Sequence, residues 1–139
     1  MPMLDSYIFF DGTCADAMRF YQRVLGGEMT AMMKYSDSPD PAHCPPGSDD
    51  RIMHASLLVD GRTLMASDSP AGQHQPMQGF ALSAFYDSPD DARKVFEQLA
   101  EGGQVMMPMG PTFWAQAFGM ATDRFGTPWM VSGGMVQPG

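Results

Sequence analysis

Phe9–Met29 reads FFDGTCADAMRFYQRVLGGEM, and Phe85–Val105 reads FYDSPDDARKVFEQLAEGGQV. Each stretch opens on an aromatic pair and an aspartate, runs through an amphipathic segment and stops at a glycine pair. Asp11 matches Asp87, Gly26 matches Gly102 and Gly27 matches Gly103; the helix starts match one residue out of step, Thr13 with Ser88 and Asp16 with Asp91. Thr13 and Ser88 are of the type that caps a helix N-terminus, and an acidic residue three places on suggests a capping box. Pro89 suits a first helical position. The glycine pairs permit the left-handed turn that ends a helix. Cys14, Ala17, Met18, Tyr21 and Leu25 fall on one side of the first helix, and Ala92, Val95, Phe96 and Leu99 on one side of the second. Both sets read as core. The chain is a duplication.

Strands flank each helix. MLDSYIFF (from Met3) precedes the first and GFALSAFY (from Gly79) the second, while MTAMMKY (from Met29) and QVMMPM (from Gln104) follow them. RIMHASLLVDGRTLMASD, Arg51–Asp68, then carries Asp60-Gly61 between alternating runs, a strong two-residue hairpin signal. Its counterpart is WAQAFGMATDRFGTPWMVSG, Trp114–Gly133, with a longer turn in which Asp123, Arg124 and Gly126 take part. The unit is therefore βαβββ, used twice, giving an α+β fold with a first module over 1–68, a linker over 69–78 and a second module over 79–139. Ser36–Asp50 and Ser67–Gly79 are Pro-, Ser- and Asp-rich and read as surface loops, each long enough to cover a pocket.

The 139 residues suit one domain able to bury its own core. A net charge of −8 argues against nucleic acid or an anionic membrane surface as partner. No basic stretch followed by an apolar run opens the sequence, and no apolar run is long enough to span a bilayer. Cys14 and Cys44 form no metal or redox motif, so free thiols in a reducing cytoplasm are expected. The 15 methionines suit irregular cores and adaptable walls.

CADAMRFYQRVLGGE, MHASLLVDGRTLMASD and TFWAQAFGMATDRFGTPWMVS, in this order, cover nearly the whole chain. They resemble the vicinal oxygen chelate superfamily of glyoxalase I, extradiol dioxygenases and bleomycin-resistance proteins, and within it the PhnB-like branch. The resemblance implies two modules whose sheets curve around a cleft, and a homodimer as in many relatives. It also implies a divalent ion held by histidines and glutamates from the first and last strands of each module. Those places fall near Ser6 or Tyr7, around Phe80 to Leu82, and at Met65 and Met130. None is a good ligand for a hard or borderline ion, so no metal and no other cofactor is expected.

The chemistry left is sparse. His54 shares a strand side with Ile52, Ser56 and Leu58, and is the one candidate acid, base or ligand. A structural, hydrogen-bonded histidine is the competing reading. His43 and His74 lie in the long loops and read as solvated. Phe113, Trp114, Phe118 and Trp129 group on the last strands of the second copy and suit either a pocket lining or a core. Gln116 stands where relatives often carry a histidine or a charged residue. No Gly-rich strand-to-helix turn offers a place for a nucleotide-like methyl donor. The expected function is binding of a small, largely apolar molecule by Ser6, Ser56, Met65, Phe113, Trp114, Phe118, Trp129 and Met130, with His54 orienting it. The alternatives are a lyase, isomerase or dioxygenase with noncanonical metal ligands such as His54 with Asp68 and a loop histidine, a metal-free acid–base catalyst using His54, or a homodimer with a vestigial cleft.

Overall fold

The computed structural model describes residues 2–40 and 44–136; His43 lies outside them. The chain forms two compact units, one ending at Pro76 and the other beginning at Met77. Residues 69–76, expected as linker, stay with the first unit, where Ser69 N–H donates to Phe10 O and Ala71 N–H to the Ser48 hydroxyl.

The first unit contains β1 (Ser6–Phe10), α1 (Cys14–Leu25), β2 (Glu28–Lys34), β3 (Ile52–Val59) and β4 (Arg62–Asp68). The second contains β5 (Leu82–Tyr86), α2 (Pro89–Ala100), β6 (Gln104–Gly110), β7 (Ala115–Thr122) and β8 (Pro128–Met135). The sheet orders are β1-β4-β3-β2 and β5-β8-β7-β6. In each, the first strand runs parallel to the last and the other pairings are antiparallel. The duplicated βαβββ unit is thus present in both halves.

Strand alternation sorts each sheet into a helix-covered face and an opposite face. In the first unit Ile8, Phe10, Ala55, Leu57 and Ala66 pack with Cys14, Ala17, Met18 and Tyr21 of α1, all buried. Leu25, read as core, is only half-buried. In the second unit Ala92, Val95, Phe96 and Leu99 of α2 are buried, as their spacing predicts. The β3–β4 turn has Asp60 at φ 46 and Gly61 at φ 79, the paired positive values of a tight hairpin. Gly27 and Gly103 place the chain against a neighbouring strand: an added Cβ would lie 2.3 Å from Leu58 O and 2.1 Å from Thr122 O.

The helix starts differ from each other. In α2, Ser88 caps as expected, accepting from Asp91 N–H at 3.3 Å. In α1, Thr13 makes no side-chain cap bond. Asp68, from the far end of β4, replaces it: its Oδ1 accepts from Gly12 N–H (2.8 Å) and Cys14 N–H (3.0 Å), and its Oδ2 accepts from Ile52 N–H (2.9 Å). The carboxylate is 1% exposed. A full charge satisfies the free donors of the helix start more strongly than a hydroxyl, which offsets its burial. The β1–β4 and β5–β8 registers pair Phe10 with Asp68 and Tyr86 with Gly133, so Gly133 is the equivalent place in the second unit. There α2 sits so close that an added Cβ would be 2.5 Å from Ala92 Cβ and 2.8 Å from Pro89 Cα.

The Cys14 thiol, buried beside Asp68, is pushed up to about 12, mainly by burial and then by the nearby carboxylate. Only thiolate reacts, so Cys14 is inert in the native protein at pH 8. Cys44, half-buried, donates its thiol to Asp49 Oδ1. Iodoacetamide is therefore expected to label Cys44 first, and Cys14 only after unfolding, as read by peptide mass spectrometry. Equal native labelling of both thiols would contradict the packing of α1.

Candidate functional site

Away from α1, the first sheet presents a mixed face. One row runs Tyr7–Met65–Ser56–Ala31 across β1, β4, β3 and β2, each in register with the next. Beside it, His54 pairs with Met33, and Phe9 with Ser67. The Tyr7 hydroxyl lies 3.1 Å from His54 Nδ1, and the two ring centroids are 5.7 Å apart. Phe9 leans on Tyr7 at 5.2 Å between centroids. Tyr7 is 40% and Phe9 50% exposed, an unusual display of aromatic surface, while His54 and Met65 are half-buried and Ser56 is buried. The face combines one imidazole and one phenol in contact with apolar and thioether surface.

Ser6 departs from expectation. It pairs with Leu64, a residue of the α1-covered face, and the alternation turns Tyr7 to the open face in its stead. Tyr7, which the sequence offered only beside Ser6 as the place of the implied first-strand ligand, becomes the functional candidate. Aromatic residues occupy both parities of SYIFF, so alternation alone left the phase open.

The expected aromatic group of the second unit divides. Trp129 pairs with Leu82 and Ala121, is 3% exposed and donates its indole N–H to Asp123 Oδ2 at 2.9 Å. It belongs to the core under α2. Phe118 lies on the opposite face and is buried. Phe113 and Trp114 precede β7 rather than lying in it, and form an edge-to-face chain with Phe118, with centroids 4.8 and 5.2 Å apart. Phe113 is 88% exposed. Met130 stands in a row with Met120 and Met107 on one side and Ser83 on the other. This face offers a soft apolar wall, and none of these side chains titrates near neutrality. Asp123 makes the turn, accepting from Phe125 and Thr127 N–H groups.

The structure also tests the divalent ion implied by the resemblance. The register that sets Tyr7 opposite Met65 sets Ser83 opposite Met130, so Ser83, one residue past the expected Phe80–Leu82, completes the set. Neither the phenol and thioether of the first unit nor the hydroxyl and thioether of the second suit a hard or borderline divalent ion. Among the described residues, no three His, Cys, Asp or Glu side chains are grouped to hold a metal. The alternative pairing of His54 with Asp68 fails on direction. Asp68 lies on the α1 side with both oxygens engaged by backbone N–H groups, and His54 lies on the other face. His74, read as solvated, is half-buried with Nδ1 3.3 Å from the Ser69 hydroxyl.

A family model described as the Glyoxalase/Bleomycin resistance protein/Dioxygenase superfamily matches residues 3–131. The chain is 35% identical over 146 aligned positions to Protein YjdN of Escherichia coli (strain K12), with 99% of each covered. The crystal structure of protein PA1353 from Pseudomonas aeruginosa is 45% identical, with a TM-score of 0.88 over 96% of this chain and 98% of that one. The PhnB protein from Bacillus cereus shares the fold at 23% identity, with a TM-score of 0.78 over 95% and 99% of the two chains. No described helix is long and apolar enough to cross a membrane.

Proposed function

Because the chain belongs to the Glyoxalase/Bleomycin resistance protein/Dioxygenase superfamily, we propose that it binds a small, largely apolar organic molecule on the open face of its first sheet, without the divalent ion of the metal-dependent members. The observation that carries this is the Tyr7–His54 pair set among Phe9, Met65 and Ser56. Small-molecule sites combine apolar and aromatic lining with a few placed polar groups. Aromatic and methionine side chains supply most of the contact energy and adapt to shape. Tyr7 and His54 supply orientation.

The test is a thermal-shift and NMR screen of small aromatic compounds, followed by the winning compound against His54→Ala. Affinity is expected to fall by roughly threefold to tenfold, the worth of one hydrogen bond. The melting temperature is expected to change little, since the His54 ring is only half-buried and its one hydrogen-bond partner among the described residues is the exposed Tyr7. A large drop in melting temperature with unchanged affinity would make His54 structural and end this reading. In the same samples, zinc, nickel and manganese should leave the melting temperature unmoved.

A further inference from the structure

The Tyr7–His54 contact has a direction. Tyr7 carries one O–H donor, and among the described residues His54 Nδ1 is its one hydrogen-bond partner. A phenol is a good donor and a modest acceptor, whereas the bare nitrogen of a neutral imidazole is a strong acceptor. With Tyr7 O–H donating to Nδ1, the imidazole proton must reside on Nε2. The reverse arrangement would leave the phenol proton without a partner among the described residues. His54 makes no second hydrogen bond to the described residues. Among the described residues no buried side-chain nitrogen or oxygen lacks a partner, so the unpartnered Nε2 is not sealed from solvent.

We propose that Tyr7 holds neutral His54 in its Nε2–H form, and that the molecule taken by this face therefore presents an acceptor oxygen, carbonyl or carboxylate, on an apolar body. This rests on the binding role given to the face above. The apolar body would lie against Tyr7, Phe9 and Met65, and the oxygen would accept from Nε2–H. A ligand group that can only donate finds no lone pair left on this ring. Tyr7 is thus a positioning residue, and it selects the ligand through the histidine.

Two measurements test this on the intact protein. Long-range 1H–15N spectra of the His54 ring, recorded at alkaline pH, are expected to show Nδ1 bare and Nε2 protonated, with the Nδ1–H form rising in Tyr7→Phe. A dominant Nδ1–H form in the wild type, or an unchanged ratio in Tyr7→Phe, would overturn the proposal. Acetophenone, benzoate and isopropylbenzene then serve as probes, read on the Tyr7 ring and Met65 methyl signals. Acetophenone or benzoate should bind about threefold to tenfold more tightly than isopropylbenzene, and Tyr7→Phe should narrow that ratio. Equal binding of all three would sink the acceptor rule while leaving the binding face standing. If none of the three perturbs those signals, the binding face itself fails, and the tautomer spectra alone decide the role of Tyr7.

Discussion

Asp68→Ala is expected to lower the unfolding free energy by about 3–5 kcal/mol. The side chain accepts three backbone N–H groups, two at the start of α1 and one at the start of β3. A hydrogen bond to a charged acceptor contributes about 1.5–3 kcal/mol, and a buried donor left unpaired costs about 1–3 kcal/mol; such terms within one network do not simply add. Thr13 offers no fallback, because its side chain makes no cap bond. Asp68→Asn should be intermediate, since an amide keeps one acceptor oxygen and turns an N–H toward the other donors. Urea unfolding followed by circular dichroism measures both variants. A loss below about 1 kcal/mol for Asp68→Ala would mean that water replaces the carboxylate at no great cost, and the hub would not matter.

Gly133→Val is the second large effect, expected at about 3 kcal/mol or more. Here the cause is space. A first added carbon would already lie 2.5 Å from Ala92 Cβ and 2.8 Å from both Pro89 Cα and Ser88 O. Two of those three atoms are backbone, and relief means moving the start of α2 off its sheet. Its melting temperature should fall by roughly 10 °C. Gly110→Ala is the matched control, because an added Cβ there meets nothing within 4 Å. It should stay within about 0.5 kcal/mol of the wild type. A Gly133→Val protein as stable as the control would show that α2 shifts freely.

The duplication, both helices and both hairpins were legible in the sequence because their signals are local. Ser88 and Pro89 open α2, the glycine pairs close both helices, and Asp60-Gly61 sets a tight turn within a few residues of chain. What was hidden depends on distant partners. Asp68 reaches α1 across more than fifty positions, so Thr13 looked like the cap. The phase of β1 could not be read from SYIFF, since Tyr7 and Phe9 are aromatic on one face and Phe10 on the other; this moved the candidate from Ser6 to Tyr7. Trp129 and Met130 are adjacent and both apolar, and a sheet with apolar residues on both faces erases the alternation that would have assigned the indole to the core. Met65 and Met130 each follow a recognisable hairpin at a fixed step, and they stand in register with Tyr7 and Ser83.

The Asp68 and Gly133 pair also constrains how the two halves of this chain can change by recombination. An exchange of only the last strands between the halves would bring a carboxylate under Pro89, where no side chain fits, and a glycine under Cys14, where three donors wait for an acceptor. Each strand end has become the private partner of one helix. At this position a whole βαβββ unit carries its own fit of helix to fourth strand, and the fourth strand alone does not.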